Sequence, residues 1–270
     1  MRGASRTSLA EASEALQAAL DNGANASRLG DELFAVTDLL DREAGLRRTL
    51  SDPSRRSDAR AGLATSLLSG QLGEPAMTVV QTLAAGRWSA VGDLPDAAEQ
   101  LAVQATVAGA ESRGTLDDLE DELFRFGRIV SAQPELQMTL ASPFIAAERK
   151  QALLESLIGS KVTAASRDLI TRACVHPRGR GLEAALAEFA AIAARRRERL
   201  IAEVRVASEL PDDLHDRLAA ALAAAYGHEV HLNVIVDPQV VGGMSVRIGD
   251  EQIDGSIATR LAVLRRRLAS

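Results

Sequence analysis

The sequence of 270 residues contains a single cysteine, Cys174, so an internal disulfide is excluded. That cysteine usage fits a reducing compartment. No window approaches the roughly 18 uninterrupted apolar residues of a transmembrane helix, and the N-terminus lacks the apolar core of a secretory signal. We therefore expect neither a membrane span nor a leader, and any membrane association would come through a partner.

Aromatic residues are also scarce, at 3% of the sequence, whereas alanine and leucine are abundant. Helices pack closely through such small or unbranched side chains, so the composition predicts a mainly α-helical protein. The net charge of −6 argues against a general nucleic-acid binder, which needs a basic surface. The length allows two or three compact domains.

Phosphate-binding motifs are missing, although VVGGMSVRIGDEQIDGS (residues 240–256) is rich in glycine. Its glycines do not have the G-x-G-x-x-G spacing of a dinucleotide loop, and no lysine follows the last one as in a P-loop. Its three acidic residues would repel a polyphosphate. The segment instead predicts a turn, a strand, a second turn and a helix cap provided by Asp254 or Ser256.

Catalytic and metal-binding patterns are equally sparse. Cys174 precedes His176 by two residues, but at the end of an amphipathic helix a small core cysteine is the more common explanation than a nucleophile. His228 and His231 have an odd separation on a predicted strand and would lie on opposite faces, so they are not expected to share a metal. The residues alone indicate an interaction protein without a catalytic, metal or cofactor site.

An internal repeat organises the first two thirds of the chain. The tetrapeptide DELF occurs at residues 31–34 and again at 121–124, and residues 31–70 share 11 identities with residues 121–160 without a gap. Random pairing would give roughly three. Apolar residues at steps of three and four, separated by short connections, predict two copies of one helical bundle.

The last third has a different period. Alternating apolar residues predict strands at 201–208, 229–236 and 244–248, with one helix opening at Pro211 and another from about Ser256. The predicted fold is therefore mainly α: a first helical bundle at 1–92, a second at 93–199, and a small α/β domain of three strands and two helices at 200–270.

The C-terminal third carries an ordered motif that resembles the delta subunit family of F-type ATP synthases, called OSCP in mitochondria. The motif combines Asp237-Pro238 and Arg260-Leu261 with a set of seven residues between them: Gly242, Gly243, Gly249, Asp250, Asp254, Gly255 and Ser256. Residues from about 95 to 270 match the family's plan of a helical bundle followed by a small α/β domain. The additional first ninety residues resemble the lengthened actinobacterial version.

The resemblance implies a non-catalytic stator subunit at the cytoplasmic face of the cell membrane, held there by the ATP synthase complex. Its bundle would hold N-terminal helices of alpha subunits, through first- and fifth-helix residues such as Leu9, Ala12, Leu16, Val79 and Leu83. Its C-terminal domain would join the peripheral-stalk b subunit, with the beta subunits contacted indirectly. The predicted stalk contact is the final helix with Ile257, Arg260, Leu261, Leu264, Arg265 and Arg266.

Two other functions stay open at this point. A nucleotide-binding regulator built on the glycine-rich segment would bind nucleotide as an isolated chain. A free-standing helical adaptor would have no connection to ATP synthase. The sequence also leaves open which copy of the bundle engages an alpha subunit, since both present similar apolar stripes.

Overall fold

A computed structural model describes residues 1, 3–198, 201–207, 210–226, 230–237, 240, 243–248 and 251–254. The chain divides into two compact units, Met1–Ala193 and Ala194–Ser270. The first is entirely helical and the second contains a mixed sheet, so the prediction of a mainly α protein with a small α/β region is confirmed.

The helices of the first unit follow the repeat. The first copy contains α1 (Gly3–Asp21), α2 (Ala26–Arg42), α3 (Ala44–Ser51), α4 (Ser57–Leu68) and α5 (Glu74–Ala85). The next five are α6 (Asp93–Ser112), α7 (Leu116–Ser131), α8 (Pro134–Ala141), α9 (Ala147–Ile158) and α10 (Ala164–Val175), and α11 (Leu182–Glu198) follows them. Each of α6 to α10 begins 90 residues after its counterpart among α1 to α5.

The DELF tetrapeptide has the same structural role in both copies. Glu32 accepts a hydrogen bond from the backbone amide of Gly73, 3.1 Å away, at the start of α5. Glu122 accepts the equivalent bond from Thr163, at 2.9 Å, at the start of α10. A carboxylate at a helix N-terminus satisfies a free backbone amide and complements the helix dipole. The repeated glutamate therefore ties the second helix of each copy to the fifth.

Helix α6 belongs to both copies. It begins 90 residues after α1 and is therefore the first helix of the second copy. It also precedes α11 by about the same spacing, and since α11 is the sixth helix of the second copy, α6 is the sixth helix of the first. Fourteen of its 20 residues are buried, so it is covered on nearly all sides, unlike a helix at a bundle surface. We call α6 the shared helix.

Close packing of α2 on the shared helix depends on a glycine. A side-chain carbon added at Gly30 would lie 2.8 Å from the Thr106 hydroxyl and 3.3 Å from the Ala102 carbonyl oxygen. Both are shorter than an ordinary contact, so the two backbones approach to a distance that only glycine permits.

The second unit contains a four-stranded sheet in the order β2-β1-β3-β4, with β1 (Ile201–Val206), β2 (His231–Val236), β3 (Met244–Ile248) and β4 (Glu251–Asp254). β1 and β2 are parallel and connected through α12 (Asp212–Tyr226), while β3 and β4 are antiparallel to their neighbours. Val204, Val206 and Val246 of the sheet pack in one core with Leu222 of α12. A crossover helix that covers one sheet face is the usual solution for parallel neighbours.

One element of this unit was predicted wrongly. We expected three strands, but residues 251–254 form a fourth, which pairs with β3 from Ser245↔Asp254 to Ile248↔Glu251. Glu, Gln and Asp have low strand propensity, so a polar edge strand gives no alternating apolar signal. The helix predicted from Ser256 lies outside the described residues. None of the helices described is long and apolar enough to cross a membrane.

Candidate interaction surfaces

The residues considered for chemistry are held in structural roles. Cys174 is 2% exposed, and burial raises the pKa of its thiol to about 12, so the thiolate that a nucleophile requires is not populated near neutral pH. Burial and the charge of Arg172 lower the pKa of His176, whose imidazole is therefore neutral at pH 7. Its Nδ1 lies 3.3 Å from Asp38. Within the part of the chain that the structure describes, no group of three potential metal ligands is assembled.

The glycine-rich segment is described only in part. Gly243, which precedes β3, has a φ of +80°, a left-handed conformation that favours glycine and agrees with a tight turn. Asp254 is the last residue of β4 and pairs with Ser245, and its predicted role as a helix cap stays a prediction because the helix expected after it lies outside the described residues. The remaining motif residues lie outside the described part of the chain: Gly242, Gly249, Asp250, Gly255 and Ser256.

The residues predicted to line a groove for an alpha-subunit helix lie in the interior of the first copy. Ala12 and Val79 are 0% exposed, Leu16 and Leu83 are 2% exposed, and Leu9 is partly buried against the same cluster. They hold α1 against α5 within the chain itself. Because their side chains are buried or partly buried inside the chain, they do not form an open surface for a partner. Their contact with an alpha subunit stays a prediction.

The predicted stalk-contact residues cannot be placed. They all lie in the C-terminal segment outside the described residues: Ile257, Arg260, Leu261, Leu264, Arg265 and Arg266. Their role therefore stays a prediction.

The two copies are joined by a cluster of charges, buried at its centre and exposed at its edge, that sequence reasoning missed. Around the shared helix, four carboxylates meet three guanidinium groups, which we call the joint network: Asp38, Asp41, Asp96 and Glu99 with Arg172, Arg178 and Arg180. The acids come from α2 and the shared helix, and the arginines from α10 and the loop that follows it. The network therefore connects the first copy to the second.

Glu99 is the centre of the joint network. It is 2% exposed and its Oε2 accepts hydrogen bonds from Arg180 and, at 2.9 Å, from Arg178. The Nε of Arg172 lies 3.6 Å from its other oxygen. A carboxylate buried to this degree is stable in a fold only when cations and donors compensate the loss of water. The joint therefore depends on the correct placement of these three arginines.

Arg178 is positioned by an unusual backbone conformation. Its φ is +50°, rare for a residue with a side chain, and the next residue, Gly179, has a φ of +75°. Such a conformation costs about 1 kcal/mol. Burial alone would lower the pKa of Arg178, but its hydrogen bond to Asp41 and the charges of Glu99 and Asp41 raise it instead. The turn that aims this guanidinium into the joint is thus stabilised by the ion pairs it makes.

Position-by-position comparison of the copies is the sequence signal that identifies the joint. At the 90-residue offset, Glu99 corresponds to Phe189 and Arg178 corresponds to Trp88, so the buried charges occur once and are not repeated. The packing residues of a repeat recur, whereas residues that join one copy to the next occur only at the joint. A charge at a core position of only one copy therefore indicates an interface between copies.

Comparison with known proteins gives a consistent result. A family profile described as ATP synthase delta (OSCP) subunit matches residues 102–268. The ATP synthase subunit delta of Streptomyces avermitilis is 49% identical over 269 residues, which cover 99% of this chain and 98% of that protein. Those of Streptomyces griseus and Thermobifida fusca are 47% and 46% identical and align over 100% of both chains.

These alignments include the N-terminal copy, so the lengthened form is common to this chain and its relatives. The family profile by itself begins inside the shared helix. The resemblance inferred from the C-terminal motif is confirmed. This chain belongs to the ATP synthase delta (OSCP) subunit family.

Proposed function

We propose that this chain is the delta subunit of an F-type proton-translocating ATP synthase, a non-catalytic stator part that links the catalytic head to the peripheral stalk. The observation that carries the proposal is its identity of 46–49% over the full length to proteins named ATP synthase subunit delta. The enclosed, un-ionised thiol of Cys174 agrees with a structural role for the helical unit. The chain would reside at the cytoplasmic membrane face through the complex.

The construction of the helical unit suits a part that must resist torque. Two copies that share one helix have no linker between them, and the joint network adds directional ion pairs. Domains connected by a flexible linker move relative to one another by default, whereas a shared helix excludes that motion. A stator built in this way transmits load from one end of the bundle to the other.

We propose the alpha subunit's N-terminal helices as partners of the helical unit, by the helix-in-groove mode of recognition. Because Val79 and Leu83 are enclosed in the core, aspartate at both positions is expected to unfold the first copy and not merely to weaken partner binding. Loss of helical circular dichroism together with loss of binding supports this interpretation. An intact fold that no longer binds an alpha subunit would assign these residues to the groove itself.

We propose the b subunit of the peripheral stalk as the partner of the C-terminal unit. Arg265 and Arg266 in the final predicted helix are the residues to test by charge reversal, with binding to purified b subunit measured across a salt series. The loss is expected to be larger at low salt, where charges are least screened. Unchanged binding would place the stalk contact on another surface.

Co-purification tests the proposed function most directly. The tagged full-length chain, expressed at its natural level, is expected to bring down the alpha, beta and b subunits, and its depletion is expected to uncouple proton flow from ATP synthesis. A free-standing adaptor would bring down none of these subunits. Calorimetric titration of the chain with ATP is expected to show no heat of binding, whereas a nucleotide-binding regulator would give saturable heat.

A further inference from the structure

The repeat exposes one helix face that is covered in the other copy. On the shared helix, Leu94, Ala97 and Leu101 are 0–1% exposed because they pack into the core of the first copy. Their counterparts on α1, at the 90-residue offset, are Ala4, Thr7 and Glu11, and all three are exposed. The second copy thus has protein against this face of its first helix, whereas the first copy presents the same face without a covering element among the described residues.

Beside this open face lies a basic cleft of about 620 Å³. It is bounded on one side by α1 and on the other by four arginines, and we call it the arginine cleft: Arg55, Arg56, Arg60 and Arg87. The α1 side contributes one acid, Glu11, which forms no ion pair with any of the residues described. The cleft therefore combines an uncovered helix face with a concentration of positive charge.

Two of the four arginines have no carboxylate partner in the described structure. Arg55 lies 3.5 Å from Asp52 and Arg56 lies 2.7 Å from Asp58, so these two are paired at the rim. The guanidinium of Arg60 donates instead to main-chain oxygens, to Gly86 at 2.7 Å, Ala85 at 2.8 Å and Leu50 at 3.2 Å.

Arg60 shows that the positive charge of the cleft is not fully compensated. It is 3% exposed, its Nε has no hydrogen-bond partner in the described structure, and burial and the charge of Arg87 lower its pKa. Arg87, exposed at the mouth of the cleft, has no ion pair with the described residues. Neither Arg60 nor Arg87 has an ion-paired carboxylate among the described residues, and the charge of Asp52 opposes that of Arg87 at Arg60 only in part, so the cleft favours an anionic partner.

The basic character is confined to the first copy. At the 90-residue offset Arg55, Arg56 and Arg87 correspond to Ile145, Ala146 and Pro177, and only the buried Arg60 has a cationic counterpart, Lys150. Lys150 is 5% exposed and its Nζ lies 3.3 Å from the Cys174 carbonyl oxygen, near the end of α10. The buried cation is thus part of the repeated fold, whereas the other three arginines are additions to the N-terminal copy.

We propose that the arginine cleft binds an acidic segment of another subunit, which lies along the open face of α1 and places its carboxylates against the accessible arginines Arg55, Arg56 and Arg87. A protein segment is favoured over a small anion because protein covers the equivalent face of the shared helix. Carboxylates are favoured by the excess of guanidinium groups, which bind them through paired hydrogen bonds. The inference rests on the proposed function, because it takes the partner to be an ATP synthase subunit.

Charge reversal tests the contribution of the cleft. The probe is purified ATP synthase from which the delta subunit has been stripped, and binding of the full-length chain is measured at low and high salt. Arg56→Glu with Arg87→Glu is expected to weaken binding at least about tenfold at low salt, with a smaller effect at high salt. Arg48→Glu, on the exposed surface of α3 outside the cleft, reverses one charge where the cleft variant reverses two, and it is expected to have little effect.

The outcomes separate this inference from the proposed function. If the unmodified chain does not bind stripped enzyme, the proposed function fails. If it binds and the cleft variant binds equally well, or if Arg48→Glu weakens binding as much, only the cleft inference is overturned. Circular dichroism and Trp88 fluorescence check the fold of each variant, and Arg87→Lys is expected to retain most of the affinity.

Photo-crosslinking provides a second measurement that does not depend on the stability of the variants. A crosslinking amino acid replaces Thr7 on the open face, in the assembled enzyme, and the attached peptide is identified by mass spectrometry. Attachment to an Asp- or Glu-rich peptide of another ATP synthase subunit, reduced by Arg87→Glu, supports the inference. Attachment to a peptide without acidic residues, or no attachment in enzyme that contains the chain, overturns it.

Discussion

Replacement of Glu99 by glutamine tests whether the joint network holds the two copies together. The change preserves the size of the side chain and removes one negative charge from a site that is 2% exposed. Arg178 and Arg180 each lose a charge-assisted hydrogen bond, and Arg172 loses a carboxylate 3.6 Å away. The amide also introduces two donors where the arginines already supply donors.

The expected loss follows from the pairing that remains. Removal of one partner from a buried ion pair typically costs about 3–5 kcal/mol, because the other charge is left without compensation. Here Arg172 keeps Asp38, Arg178 keeps Asp41 and Asp96, and Arg180 keeps Glu188. We therefore expect the lower end of the range, about 3 kcal/mol, which for a unit of this size corresponds to a fall in Tm of about 6–12 °C.

Thermal and urea unfolding of the full-length chain measure this loss. The single tryptophan, Trp88, is buried in the first copy and reports its unfolding separately from total helix content. Glu14→Gln, at an exposed position of α1, is the control and is expected to leave Tm unchanged within about 1 °C. A Tm of Glu99→Gln within 2 °C of the unmodified chain would refute the view that buried charges hold the joint.

Three further predictions concern packing and reactivity. Gly30→Ala is expected to destabilise the first copy by about 1–3 kcal/mol because the new methyl group meets Thr106, whereas Gly62→Ala, with no neighbour within 4 Å in the middle of α4, is expected to stabilise it by about 0.5–1 kcal/mol. Urea unfolding measures both changes in the free energy of unfolding, and equal effects would contradict the close approach of α2 to the shared helix. Cys174 is expected to resist iodoacetamide in the folded chain and to react after denaturation, so rapid native alkylation would show that the thiol is accessible. Deletion of residues 1–92 is expected to expose the apolar face of the shared helix and to cause aggregation in sedimentation experiments, so a soluble, stable monomer would contradict its dual role.

Repetition and periodicity predicted much of this fold from the sequence. The helices of the two copies produce period-3.6 patterns and recurring identities, and β1 to β3 alternate apolar residues cleanly. β4 was missed because Glu251, Gln252 and Asp254 give no alternating apolar pattern, and the strand at this sheet edge is defined by its pairing with β3. A strand that forms because it pairs with a neighbouring strand, and not because of its own residues, gives little signal in the local sequence.

The surfaces of the molecule were harder to predict than its elements. An apolar stripe shows that a helix buries one face, but not whether its own bundle or a partner covers it. Ala12 and Val79 thus fit the pattern expected of a groove, and the structure has both 0% exposed in the core of the first copy, so their contact with a partner stays a prediction. The joint network depends on contacts between residues up to 137 positions apart, such as Asp41 and Arg178, which no local window contains.

The shared helix also determines how the mechanical compliance of the subunit changes with its length. Two independent bundles connected by a linker bend mainly at the linker, because it is the most flexible part, and its flexibility would then limit the stiffness of the whole. Here the last helix of one copy is the first helix of the next, so the added length introduces no soft element between them. A duplication of about five helices can therefore extend the reach of the part without loosening it, and a further copy added on the same plan would do so again.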